Sequence, residues 1–327
     1  MRIALVVLVL GCGGGEFPSP VFDPKQNWGG NLAVHEGRVY TTTINESCGG
    51  IDPGFDHAVW SVSAAAEDGR AGPANRDEQL IFCGANHQLF GFGMTVADGR
   101  VFWSGDGDDG VGAIYAAPIE GGERELMGSF NTGTAANAGL ATDGEHVYAA
   151  TFDEILRVPL AGGGPETVFE QITFEAGWFD VIDGAVFANT WGGGSTPTEV
   201  MKMNLDGSAR VVLDVLPDLQ PAQFCDDAEA LYFTRSDSVV RVPKDGTEST
   251  VFAFGLATPR GCAVLDGDVY TSLGGIEADT LKQIVRLRPG NVVEVVAEVE
   301  GTVVFLIEIA DRVLHYAGLG AFGRLEL

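Results

Sequence analysis

The side chains in this chain that could do chemistry are few and scattered. Histidine is the usual acid–base group near neutral pH, and the five here are His35, His57, His87, His146 and His315. None belongs to a His-Glu-x-x-His pair, so a zincin site is excluded. The chain has no Gly-x-Ser-x-Gly, so it has no nucleophile elbow of the α/β-hydrolase kind. Gly105-Asp106-Gly107-Asp108-Asp109-Gly110 matches the letters of a dinucleotide fingerprint. Its three carboxylates would repel a pyrophosphate, and a strand rather than a helix follows it. The same carboxylates, Asp106, Asp108 and Asp109, are the chain's weak candidates for a Ca2+ site, because hard cations take several oxygen ligands. Their spacing departs from the EF-hand, and a solvated acidic turn is the plainer reading. No other cofactor is implied. A lyase or hydrolase would need a His or a carboxylate pair brought together in space. His87, Glu175, Asp226 and Asp227 are conceivable members that spacing alone does not unite.

The elements that must position these groups come from a repeat. Seven times the chain spells an apolar residue, then Asp-Gly or a near relative, then Val-Tyr or Val-Phe. The copies run over residues 32–43, 94–104, 140–150, 179–189, 224–234, 262–272 and 306–316. A second phrase follows in each copy, as in Ile155-Leu156-Arg157-Val158-Pro159 and Val239-Val240-Arg241-Val242-Pro243. Most copies end in a third apolar run, such as 250–254. Asp-Gly between alternating apolar runs is a strong hairpin signal. One unit therefore reads as four short antiparallel strands, with two apolar faces that need neighbours to cover them. Most units recur within the span of about 40–50 residues expected of a propeller blade. The prediction is an all-β chain: a seven-bladed β-propeller of four-stranded antiparallel blades, with helix scarce. The last unit runs out after its third strand. Ser19-Pro20-Val21-Phe22-Asp23 is a spare apolar strand that could pair beside 322–327 and close the ring.

These phrases resemble the bacterial propeller repeats that carry an Asp-Gly-x-Val-Tyr strand and an Ile-x-Arg-Val-Pro strand, those of TolB-like and YWTD-like propeller domains. The resemblance covers about residues 30–327. Many of those relatives have six blades where seven are counted here. Units five and seven also depart from the pattern, with Asp227-Ala228 and Ala310-Asp311 in place of Asp-Gly. The resemblance implies a binding face and specifies no reaction.

The amino terminus reads as a processing signal. Met1-Arg2 precedes the apolar run Ile3–Leu10, which is too short to span a bilayer. Val9-Leu10-Gly11-Cys12 resembles the lipobox of bacterial lipoproteins, in which cleavage precedes a cysteine that carries the lipid. On this reading residues 1–11 are a signal peptide, 12–18 hold the lipidated Cys12 and a Gly-rich tether, and 19–327 form a single propeller domain. Gly13 is compatible with outer-membrane export, so the protein is expected to be lipid-anchored there, on the periplasmic or cell-surface side.

Four cysteines remain in an exported chain, which suggests two disulfides. Cys225 and Cys262 lie on equivalent strands of neighbouring repeats. Cys48 and Cys83 belong to one unit. The expected pairs are Cys225–Cys262 and Cys48–Cys83; buried free thiols are the alternative.

Acids outnumber bases by 46 to 19, for a net charge of −27 over 327 residues. Such a surface repels phosphate backbones and anionic lipid faces. No nucleic-acid partner is expected, and no membrane contact beyond the lipid on Cys12. What varies between copies is the loops on one face, at 42–57, 105–112, 152–154 and 191–199. They gather Phe55, Phe152 and Trp191 with Asp106, Asp108, Asp109 and Asp153. Aromatic rings amid carboxylates suit a protein, peptide or polysaccharide ligand of the cell envelope, and loop residues packing on their own blades are the plainer reading. The function expected is a non-catalytic binding or scaffolding module. The alternative is an envelope lyase or hydrolase with a polar site at the channel mouth.

Overall fold

In a computed structural model the described residues are 6–8, 32–45, 56–63, 78–84, 93–106, 112–130, 139–151, 154–170, 178–190, 197–216, 224–274, 282–299, 304–318 and 321–327. At some of these, Cys83 and Asp106 among them, only the backbone is described. The described residues contain no helix and form seven four-stranded antiparallel sheets. Six of the sheets are each one copy of the repeat with strands paired in chain order, and the seventh joins an N-terminal strand to the three strands of the last copy. The first blade illustrates this with Leu32–His35, Arg38–Asn45, Asp56–Ser63 and Glu78–Gly84. The fold is a β-propeller.

The Asp-Gly phrase divides into two kinds of turn. In four blades it sits between strands that leave only two residues unpaired: Glu36-Gly37, Asp98-Gly99, Asp183-Gly184 and Asp266-Gly267. Both residues of each turn have positive φ, for example 49° at Asp98 and 65° at Gly99. That is a type I′ turn, whose twist matches the flanking strands and which favours Asp-Gly. The last blade makes the same turn with Asp311 and Arg312, at φ 49° and 62°, without a glycine. In the third and fifth blades the aspartate stands one place earlier and the turn is longer. There Asp143 and Asp227 cap the turn with their side chains.

A second regularity lies between the third and fourth strands. Six blades carry a register shift at the same place: Val59/Trp60, Ile114/Tyr115, Ile155/Leu156, Val200/Met201, Val239/Val240 and Ile284/Val285. A bulge bends its strand and raises the local twist, so the outer part of each blade turns away from the inner part.

The core lies between blades. Phe102 and Ile114 of the second blade pack with Val147 and Leu156 of the third. Tyr148 packs with Phe179 and Met201, Phe187 with Phe233, Tyr232 with Val269 and Val285, and Tyr270 with Leu314 and Tyr316. The residue that follows Val in the repeated phrase is therefore a fully buried wedge. The ring is completed where the last inner strand, Val304–Ala310, meets the first, Leu32–His35.

An N-terminal strand fills the last sheet. The segment differs from the one expected. Val6–Leu8 pairs antiparallel with Ala321–Glu326, with Val7 opposite Gly323. Ser19–Asp23 lies outside the described residues.

Candidate functional site: the channel between the inner strands

The seven inner strands surround a cavity of about 430 Å3 to which every blade contributes. Val34, Met94, Leu140, Phe179, Phe224, Val264 and Ile309 are among the residues that line it, though the surface presented to the cavity is mainly polar. Three carboxylates enter this lining: Asp180 of the fourth blade, Asp226 of the fifth and Glu308 of the seventh.

Each arises as an exception within a repeat column. By the strand register, Asp180 and Glu308 stand opposite the wedge position, in the place held by Ala33, Thr95, Ala141, Cys225 and Ala263 in the other copies. Asp226 occupies the next place, held by Val34, Val96, Thr142, Val181, Val264 and Ile309. A carboxylate in a column of small and apolar residues was a signal present in the sequence, visible once the copies are aligned on the wedge residue.

The partners of the three differ. Asp226 is matched by Lys244, whose Nζ lies 2.8 Å from its Oδ2. Lys244 is itself nearly buried, lies 3.6 Å from Asp183 Oδ2, and sits over the ring of Phe187. It thus ties the fifth blade to the fourth. Glu308 Oε1 accepts the backbone N–H of Val34 at 3.2 Å, across the seam where the seventh blade meets the first. Asp180 accepts the N–H of its own neighbour Val181 at 2.7 Å. The Asp180 side chain is exposed to the channel, within the ring of inner strands that surrounds the cavity. Burial pushes the Asp180 carboxyl up to about 6, the charge of Asp226 adds to this, and the Val181 N–H and Lys244 oppose it. Burial pushes the Glu308 carboxyl up to about 7, helped by the charge of Asp180 and opposed by the Val34 N–H. Both carboxyls can therefore gain or lose a proton near neutrality.

The Cys225–Cys262 disulfide forms as expected and joins the inner strands of the fifth and sixth blades beside this cavity, with Cα atoms 5.5 Å apart. Of the conceivable acid–base group, Asp226 lies in the channel. Asp227 does not: its carboxylate is consumed by the turn, accepting the amides of Glu229 and Ala230 and the hydroxyl of Tyr232, each at 2.8 Å. His87 and Glu175 lie outside the described residues. His35 ends the first inner strand, His146 lies 3.3 Å from Asp143 in a turn, and His315 is buried in the last blade.

The loop-face candidates Phe55, Asp108, Asp109, Phe152, Asp153 and Trp191 lie outside the described residues, as do Cys12 and Cys48. Asp106 ends the strand Arg100–Asp106, its backbone opposite Gly112. Cys83 stands on the outermost strand of the first blade, opposite Ala58. Among the described residues no group of three or more His, Cys, Asp or Glu is disposed to hold a metal ion.

No protein-family model matches the chain, and no curated protein matches it. Solved propeller structures do resemble it. One is a chain in the crystal structure of the nidogen/laminin complex, 14% identical, with a TM-score of 0.53 over 74% of this chain and 90% of that one. Another is BamB from Moraxella catarrhalis, 11% identical, with a TM-score of 0.57 over 90% of this chain and 84% of that one. Identities this low establish the shared fold.

Proposed function

We propose that this chain is a cell-envelope lipoprotein whose propeller is a non-catalytic binding or scaffolding module for a protein, peptide or glycan. One observation carries the reading. The chemistry-bearing residues of the repeat are committed to building blades, as Asp143 and Asp227 are to their turns, and the loops are what differ from copy to copy. Variable loops on a rigid scaffold are the usual place for recognition. The nidogen/laminin neighbour is a propeller within a complex of two proteins, and BamB is a bacterial one, which supports protein binding in a general way.

Anchoring rests on Val9-Leu10-Gly11-Cys12. Cleavage before Cys12 would remove the closing strand Val6–Leu8. The outer edge of Ala321–Glu326 would then be open to Ser19–Asp23, the next apolar segment of the mature chain. Lipid incorporation tests the anchor directly: the chain should take up labelled fatty acid and the Cys12→Ser variant should not.

Binding is tested with a soluble form that begins after Cys12, used as bait in envelope extract. Substituting Trp191, Phe152 and Phe55 by alanine should abolish the captured species without changing the melting temperature. Capture that survives all three would place recognition elsewhere. The two channel carboxyls with raised pKa favour one second reading, an acid–base enzyme working at the channel. Turnover of an envelope glycan by pure protein, lost in Asp180→Asn, would establish it.

A further inference from the structure

Apolar side chains that face solvent are gathered in one part of the ring. Among the described residues every exposed large apolar side chain except Leu126 lies on the outermost strand of the fourth, fifth or sixth blade. These strands are Val211–Leu216, Thr250–Phe254 and Val292–Val299. Their register repeats. Val212, Val251 and Val295 hold one place, opposite Met201, Val240 and Val285. Val215 and Phe254 hold another, opposite Glu199 and Ser238. In the third blade the first of these places is Thr167, on a strand bounded by Glu166 and Glu170, and the apolar stripe ends there. Asn291 accepts the backbone N–H of Phe254 at 2.8 Å, so the stripe passes from the fifth blade to the sixth without a break.

The sixth blade offers the longest edge. Its outermost strand has eight residues and contains neither lysine nor proline. Exposed edges are ordinarily blunted by short strands, lysine or proline. Val292 and Val293 are both exposed, although successive residues of a strand point to opposite faces. Apolar surface therefore lies on both sides of one edge. A further strand fits that shape, because it continues both rows of side chains and takes up the unpaired backbone groups of the edge.

The charge around the stripe selects what can approach it. Residues 204–216, 244–254 and 289–299, which are the three outermost strands with the turns before them, hold six acids and two bases. Both bases are engaged: Arg210 pairs with Glu199, and Lys244 with Asp226. Arg286 and Arg288 on the adjacent strand are taken by Glu294. Glu248 and Glu298 are exposed and have no ion-pair partner among the described residues. A second copy of the chain would bring the same acids and a net charge of −27, so repulsion disfavours self-pairing, while a basic segment is attracted.

We propose that Val292–Val299 is an acceptor edge for a partner protein, which adds an extended segment of apolar and basic residues as a fifth strand of the sixth blade. Backbone hydrogen bonds hold the added strand, its apolar side chains pair with Val293 and Val295, and its Lys or Arg side chains meet Glu298. This surface is separate from the variable loops and stands whether or not those loops bind.

The experiment titrates the full chain with two synthetic peptides of the same length and order, one built from Val and Lys and the other from Val and Glu. Calorimetry reads binding, and amide hydrogen exchange reads its place. The Val-Lys peptide should bind, more weakly as salt is raised. It should slow exchange within Val292–Val299 and leave the outer strand Glu125–Phe130 unchanged. The Val-Glu peptide should not bind. Val295→Lys should abolish binding, and Leu126→Lys, at the equivalent place in the second blade, should leave it intact. Both side chains are exposed, so neither change disturbs the core. Should Val295→Lys nonetheless fail to fold, the exchange pattern of the wild type decides alone. Equal binding of the two peptides, binding of neither, protection outside the sixth blade, or binding that survives Val295→Lys would overturn the proposal. So would a wild-type dimer that Val295→Lys dissociates, because a second copy would then be the occupant of the edge.

Discussion

Tyr232 donates its hydroxyl to Asp227 Oδ2 over 2.8 Å, from the buried wedge of a blade to the turn that begins the same strand. Tyr148 and Asp143 repeat the relationship at the same distance in the third blade. Burial raises the Asp227 carboxyl, but the Tyr232 hydroxyl and the Glu229 and Ala230 amides outweigh it and hold the group below the usual carboxylate value. Burial, then the bond to Asp227, pushes Tyr232 up to about 12. In the third and fifth blades the phrase that defines the repeat is therefore also a hydrogen-bonded unit.

Asp227→Ala should cost about 1–3 kcal/mol, because three donors lose one acceptor group. Tyr232→Phe should cost less. Since Asp227 is held low, its contribution is present above about pH 4 and disappears as acidification passes through its folded value. Denaturant unfolding at neutral pH measures both. A loss for Asp227→Ala no greater than for the exposed turn residue Asp245 would show that the cap does not stabilise the blade.

Reduction of Cys225–Cys262, or Cys225→Ser, should lower stability by about 2–4 kcal/mol, the usual range for closing a loop of this kind. The bond joins neighbouring blades at their inner strands, so its loss loosens the wall of the channel. Melting with and without reductant reads the effect, with Cys225→Ser as the control that should no longer respond at this bond.

Gly207→Ala should be far more damaging than Gly184→Ala. Both glycines have positive φ, 77° and 74°. A Cβ on Gly184 would meet nothing within 4 Å, whereas one on Gly207 would collide with the backbone carbonyl of Val168 in the preceding blade. The first change costs about 1 kcal/mol of backbone strain. The second adds displacement of one blade from the next. Equal melting temperatures for the two variants would contradict the contact.

Lys244→Met should lower stability and move the pH dependence of melting upward. Lys244 holds the Asp180 carboxyl down and partners Asp226. Without it, Asp180 should retain its proton to higher pH, so the fall in melting temperature that accompanies its ionisation extends further into the alkaline range. A midpoint that stays put, or moves down, would show that Lys244 does not act on the channel.

A chain that begins at Cys12 should keep the wild-type melting temperature if Ser19–Asp23 replaces Val6–Leu8 at the outer edge of the last blade. A chain that begins at Trp28 has neither segment and should melt lower, because the last sheet is then left with three strands and an open edge. Identical melting of the two truncated chains would dispose of the replacement.

Much of the fold is legible in the residues because its causes are local. A type I′ turn needs two adjacent residues that tolerate positive φ, and Asp98-Gly99 or Asp266-Gly267 states that need within two letters. The wedge position at Tyr148, Phe187 or Tyr232 is legible because alternation places it on a buried face. Even the Cys225–Cys262 bond follows from repeat register, since equivalent inner strands of consecutive blades are neighbours in any closed ring. The recurrent bulge between the third and fourth strands left no such mark, because Ile155-Leu156 or Val239-Val240 reads as ordinary strand until a partner fixes the register.

The sequence by itself thus determined the blades, their number of copies, their turns and one crosslink. Only the tertiary structure decided that Asp180, Asp226 and Glu308 share a cavity, that Lys244 answers one of them, and that Val6–Leu8 completes the last sheet. The reason is physical. Turn and strand preferences act over a few bonds, while desolvation and mutual repulsion exist only once seven inner strands have closed around the same space. An aspartate that is one more polar letter in the chain becomes a proton-binding group when the ring surrounds it.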